Sequence, residues 1–210
     1  MNLFRKTLAA ALCIGLTTLP FPSLAYSYKS IVKAAERAEA EVSNAHSFDV
    51  PAKGRLEVAF SPNEGSERLV IKVIDSATRE LLVLSYSFTS APVTEAMIRA
   101  VHRGVAVRLV ADYKNNVSGD RSGKARAALS ALKNAGADVR VIRVYPIHHD
   151  KVLVANRQTV EMGSYNFSAA AAGKNSENVL VNWDNPDLAA VYVKHFERNY
   201  KQSEAYTTQY

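Results

Sequence analysis

Cysteine is nearly absent from this 210-residue sequence, and the single one, Cys13, lies close to the amino terminus. One thiol cannot form an internal disulfide, so the fold is not stapled, and no cysteine set is available for a structural zinc site. Long apolar runs are missing too. The apolar stretch over residues 7–19 falls short of the ~20 residues that a membrane-spanning helix needs. No internal repeat of 20–50 residues is found, which argues against a solenoid and against a second copy of any motif. An acidic balance is also lacking. Lys and Arg total 26 against 20 Asp and Glu, a formal charge of +6. That suits a polyanionic partner without identifying one.

The first 25 residues read as a signal peptide. Arg5 and Lys6 form its charged start, Pro20 and Pro22 break the apolar core, and Ser23-Leu24-Ala25 supplies small residues for cleavage. Ala-Leu before Cys13 makes a poor lipoprotein signal. Cleavage would leave no cysteine, no stable membrane anchor, a formal charge lowered from +6 to +4, and a periplasmic or secreted protein. Residues 26–54 differ in texture. Positions 30–42 are alanine-rich and charged with apolar residues near helical spacing, so a modest amphipathic helix is expected, followed by a linker ending at Gly54. It would serve as a packing helix or dimer arm, or merely as a spacer.

From residue 55 to 210 the pattern is α/β alternation, long enough for one well-buried domain. Strands are expected at 56–60, 80–88, 105–111, 139–144 and 178–183. Helices are expected at 64–76, 92–102, 119–134 and 186–200. The fold class is therefore α/β, a mixed sheet with helices on both faces. Residues 114–126, polar and basic, read either as a loop over a substrate groove or as a solvated loop.

The richest stretch is 147–178. His149 and Lys151, then Ser164 and Asn166, form two pairs at period-2 spacing, which in extended chain places each pair on one face. Between them V-L-V-A and T-V-E-M flank Asn156-Arg157-Gln158, two short strands around a turn. Such a hairpin gathers all four polar groups at one end of a sheet. His148 stands beside His149 but is not two residues before the lysine, so it should point the other way. A metal site from His148, His149 and Asp150 is disfavoured, because adjacent residues diverge and no cysteine completes it. The alternative readings are that Asn166 caps a helix begun near Ser168 and that Ser164 completes a turn. Lys174 reads as solvent-facing, and Tyr86 and Phe88 as core or pocket wall.

His149-x-Lys151, a polar residue at Asn156, then Gly163-Ser164-x-Asn166 resembles the H-x-K-x4-D…G-S-x-N signature of the phospholipase D superfamily. Asn175-Ser176-Glu177-Asn178 resembles a segment of its small bacterial endonucleases, which carry one motif per chain. The likeness runs from about Leu56 to Tyr210, and its departure is Asn156 in place of the motif aspartate. The resemblance implies a metal-independent phosphodiesterase acting through a phosphohistidine, with no cofactor. His149 would be the nucleophile, its other ring nitrogen held by Glu177. Lys151, Ser164 and Asn166 would bind the phosphate as cation and hydrogen-bond donors. Because in-line displacement needs a group on each side of phosphorus, one motif implies a homodimer with one active site built from both subunits. The substrate implied is nucleic acid, DNA or else RNA. A lipid-directed phospholipase D is the rival enzyme. A nucleic-acid-binding protein weakened by Asn156, whose position the resemblance puts near the other motif residues, is the rival of another class.

Overall fold

Runs such as E-L-L-V-L-S and K-V-L-V-A are apolar without alternation, the pattern of strands covered on both faces. They form β2 (Glu80–Ser85) and β5 (Lys151–Ala155), in which all residues but Glu80 are buried. In the computed structural model the described residues are 28, 30–34 and 47–208. The other strands are β1 (Arg55–Ser61), β3 (Ala106–Asp112), β4 (Asp138–Ile142), β6 (Thr159–Gly163), β7 (Glu177–Trp183) and β8 (Glu204–Ala205). They make one eight-stranded sheet in the order β1-β7-β6-β5-β2-β3-β4-β8. Strands β2, β3 and β4 are parallel and the remaining pairings antiparallel. The sheet is mixed, as expected.

Helices cover both faces. On one side lie α1 (Ser66–Ser76), α2 (Ala91–His102) and α3 (Lys124–Ala135), which pack Leu69, Val73, Met97 and Leu129 against Val83, Leu109 and Leu153. The short α4 (Ala169–Gly173) adds Ala171 to that core. On the other side α5 (Pro186–Gln202) packs Ala189, Val193 and Phe196 over Leu82, Val110, Val152 and Val154. The alternation along β5 is visible here, Leu153 facing one core and Val152 and Val154 the other. Each such side chain, fully buried, contributes roughly 1.5–3 kcal/mol.

The structure departs from the sequence pattern in several places. Strand β2 ends at Ser85 and not at Phe88, because Tyr86 donates its N–H to the Asp150 carbonyl and Phe88 donates to Asn116 Oδ1. The chain turns out of the sheet at that point. The helix expected from Gly119 begins only at Lys124, since 114–118 forms a π-helical turn and Asp120 accepts from the Arg126 N–H. The two-residue β8 at the carboxyl terminus has no sequence signal at all.

The chain forms two compact units, Met1–Phe48 and Asp49–Tyr210. In the first, residues 28 and 30–34 are helical and exposed. The expected signal peptide and positions 35–42 of the expected helix lie outside the described residues. Within the second unit, part of the expected linker is tied down. Asn182 and Asn185 donate to the Lys53 carbonyl, and Lys53 Nζ lies 2.6 Å from Asp187. Among the described residues, no helix is long and apolar enough to cross a membrane.

Candidate active site

The antiparallel hairpin pairs Val152 with Met162 and Ala155 with Thr159. This register brings the start of β5 beside the end of β6, and Gly163 pairs onward with Val179 of β7. Ser85 of β2 pairs with Lys151. Lys151, Ser164, Glu177 and the carboxyl end of β2 thus meet at one end of the sheet. Gly163 is required there: a Cβ would stand 2.2 Å from the Asn178 carbonyl oxygen.

His149 is exposed while His148 is buried, so the two diverge as their spacing predicts. The His149 ring packs on Tyr86 with centroids 4.7 Å apart, and neither of its nitrogens has a hydrogen-bond partner among the described residues. Lys151 is buried and donates to the His149 carbonyl at 2.8 Å. Its ammonium also sits 5.1 Å from the centroid of the Tyr86 ring. Burial pulls the Lys151 pKa below its ordinary value, while the charges of Asp150 and Glu177 oppose that shift. The ammonium is therefore poorly solvated and available to an anion.

Ser164 donates to Glu177 Oε2 at 2.6 Å and accepts the Asn178 N–H at 3.1 Å. Asn175 Nδ2 donates to the other Glu177 oxygen at 3.0 Å. The expected bond from His149 to Glu177 is not formed; the carboxylate is engaged by Ser164 and Asn175. Asn166 Oδ1 is buried with no partner among the described residues. The cap of α4 is Ser168, whose Oγ accepts the Ala171 N–H. Asn166 is not that cap.

Asn156 is placed away from these groups. It lies in the turn at the far end of β5, about 17 Å of extended chain from Lys151. Its Oδ1 accepts the N–H groups of Thr78 and Arg79 at 3.0 and 2.9 Å. The expectation that this position stands near the other motif residues is thus corrected: the side chain fastens the turn to the α1–β2 connection.

A second layer includes His195 and Arg198, which were not singled out from the sequence. Asp150 accepts from His195 Nε2 of α5 at 2.9 Å, and His148 Nε2 lies 3.3 Å from the same oxygen. Arg198 contacts His195 Nδ1 at 2.8 Å. A guanidinium only donates, so Nδ1 is the acceptor and Nε2 carries the proton to Asp150. Burial would raise the Asp150 carboxyl, but the contacts from His148 and His195 outweigh it and hold it well below the usual carboxylate range. The His148 N–H is fixed by Asp112 Oδ2 at 2.9 Å. The backbone around His149 is therefore clamped from β2, β3 and α5. His195 is 45 positions from Asp150, beyond the reach of any local spacing rule. Among the described residues, no group of three or more His, Cys, Asp or Glu side chains could hold a metal ion.

Comparison with known proteins gives a consistent picture. The family described as cardiolipin synthase, PLD-like domain, matches residues 70–200. A phospholipase D from Rickettsia felis is 32% identical over 144 residues, covering 69% of this chain and 68% of that one. A mitochondrial cardiolipin hydrolase from Chlamydomonas reinhardtii is 26% identical over 144 residues, covering 69% of this chain and 61% of its own length. Among solved structures, the phospholipase D family member Nuc from Salmonella typhimurium superposes with a TM-score of 0.70 at 36% identity, over 73% of this chain and 99% of that chain.

Proposed function

The chain belongs to the phospholipase D superfamily and is a phosphodiesterase of that family, and from this premise we propose that it is a metal-independent endonuclease of low sequence preference, with DNA or RNA as substrate. The observation that carries the reading is the His149 ring, unpartnered among the described residues, standing beside a buried lysine at the end of the sheet where Ser164 bonds Glu177. The likeness to Nuc favours nucleic acid over lipid.

The chemistry follows from charge. A phosphodiester anion repels nucleophiles, so the site must neutralise it and stabilise the charge that grows on the equatorial oxygens. Lys151 supplies the cation, and Asn166 supplies an amide donor. Neutral His149 attacks phosphorus, an N–P bond forms, the P–O bond to the leaving group breaks, and the leaving oxygen takes a proton from His149 of the partner subunit. That same imidazole then removes a proton from water, which attacks phosphorus, and the N–P bond breaks to free His149. Glu177 holds Ser164 and, with substrate bound, orients the His149 ring. The homodimer supplies the second histidine, and an active monomer in light scattering at assay concentration would overturn that part. Export to the periplasm or beyond fits residues 1–25.

The experiment compares substrates. Plasmid DNA, an RNA transcript, and vesicles of phosphatidylcholine with cardiolipin are offered at equal phosphodiester concentration. Nucleic acid cleaved and lipid untouched is the expected result. Lipid hydrolysis without nucleic-acid cleavage would replace the proposal by the lipid-directed reading.

A further inference from the structure

A cleft of about 250 Å³ lies beside the candidate phosphate site, at the carboxyl ends of β2 and β3. Tyr86 forms one wall, and this ring also packs on His149 and underlies the Lys151 ammonium. Cleft and phosphate site therefore share one phenol. Pro146 and Ile147, from the segment that leads into His149, supply an apolar lining, and Ile147 is 54% exposed. The rest comes from the π-helical turn through Lys114 and Asn115. Neither of those two side chains has a partner among the described residues. The Asp112 carboxylate at the back is already occupied by the N–H groups of Asn115 and His148, at 2.6 and 2.9 Å.

We propose that this cleft is the subsite for the nucleobase adjoining the scissile phosphate, an inference that rests on the nuclease reading above. A base has a flat π-face for Tyr86 and a second face for Pro146 and Ile147, and every base offers such faces, which leaves sequence preference low. Its edge carries donors and acceptors, and the Asn115 amide can meet either kind. Lys114 stands where the next phosphate along the strand can reach it. An acyl chain would leave the amide and the ammonium desolvated without a partner, and a glycerol headgroup has no planar face to stack.

The test uses the full-length protein and oligonucleotides with a single cleavable phosphodiester between methylphosphonate linkages. The base on one side or the other of that phosphate is replaced by a tetrahydrofuran abasic residue. Loss of one of the two bases is expected to slow cleavage roughly tenfold, the scale of one lost base–aromatic stack. In Asn115→Ala and in Ile147→Ser, each checked for an unchanged melting temperature, the ratio between intact and abasic substrates should fall toward one. Equal rates for intact and abasic substrates, or an unchanged ratio in both variants, would overturn the subsite and leave the nuclease reading standing. Hydrolysis of bis(p-nitrophenyl) phosphate with every oligonucleotide uncut would instead overturn the nuclease reading, and the subsite with it.

Discussion

At position 156 an asparagine fills the place of the signature's aspartate, and what it does there is accept the N–H groups of Thr78 and Arg79. An aspartate would accept them equally. Asn156→Asp should therefore leave the turnover of the phosphodiesterase within about twofold, whereas Asn156→Ala, which strands those donors, should cost about 1–2 kcal/mol in urea unfolding. A tenfold gain on restoring aspartate would contradict this assignment and revive the weakened-binder reading. His195 acts in the opposite sense, distant in sequence but tied to Asp150 between the proposed nucleophile and its lysine. It is a positioning residue. His195→Ala should lower kcat by roughly ten- to a hundredfold, the scale of a small misplacement of a reacting group. KM should change little, and the acid limb of the pH profile should move. His195→Gln retains a donor toward Asp150 and should recover part of the loss. An unchanged kcat in His195→Ala would show the clamp to be merely structural.

The hairpin of β5 and β6 is the element that the sequence describes most completely. Its connection is three residues long, Asn156 and Arg157 both have positive φ, 56° and 57°, and the Gln158 N–H returns to the Ala155 carbonyl. Asparagine accepts that conformation readily, and Arg157 is held there by Glu80 at 2.8 Å. The burial of β6 was not legible in its sequence pattern. T-V-E-M alternates as a half-exposed strand would, yet it lies between β5 and β7 with helices over both faces, so Glu161 is fully buried, with neither oxygen bonded among the described residues. Burial raises its pKa to about 8 from an ordinary 4.5. Between those values the folded state holds a proton that the unfolded chain has released, so stability is lost as pH climbs from 4.5 to 8. Glu161→Met should unfold at a higher urea concentration than wild type at pH 9, by a few kcal/mol, with the gap much reduced at pH 5. Equal gaps at both pH values would mean that the carboxyl does not stay protonated in the fold.

Over the whole molecule, what could be read in advance was what is local. Apolar runs and turn residues carried the order of strands and helices, and period-2 spacing carried the meeting of His149 and Lys151 on the Tyr86 ring. What escaped was set by tertiary pairing. Strand β2 stops at Ser85 because Asp150 and Asn116 capture the next N–H groups, β8 exists only because β4 has a free edge, and His195 reaches the site from the last helix. Glu177 was legible only through the family resemblance, and its bond to Ser164 was not. Under the proposed function, His149 performs phosphodiester cleavage without a metal. That claim is tested most directly by digesting plasmid DNA with the purified protein in excess EDTA, wild type beside His149→Ala. Cleavage by wild type and none by the variant is the predicted result. Equal cleavage by both, or wild-type activity that EDTA abolishes, would contradict it.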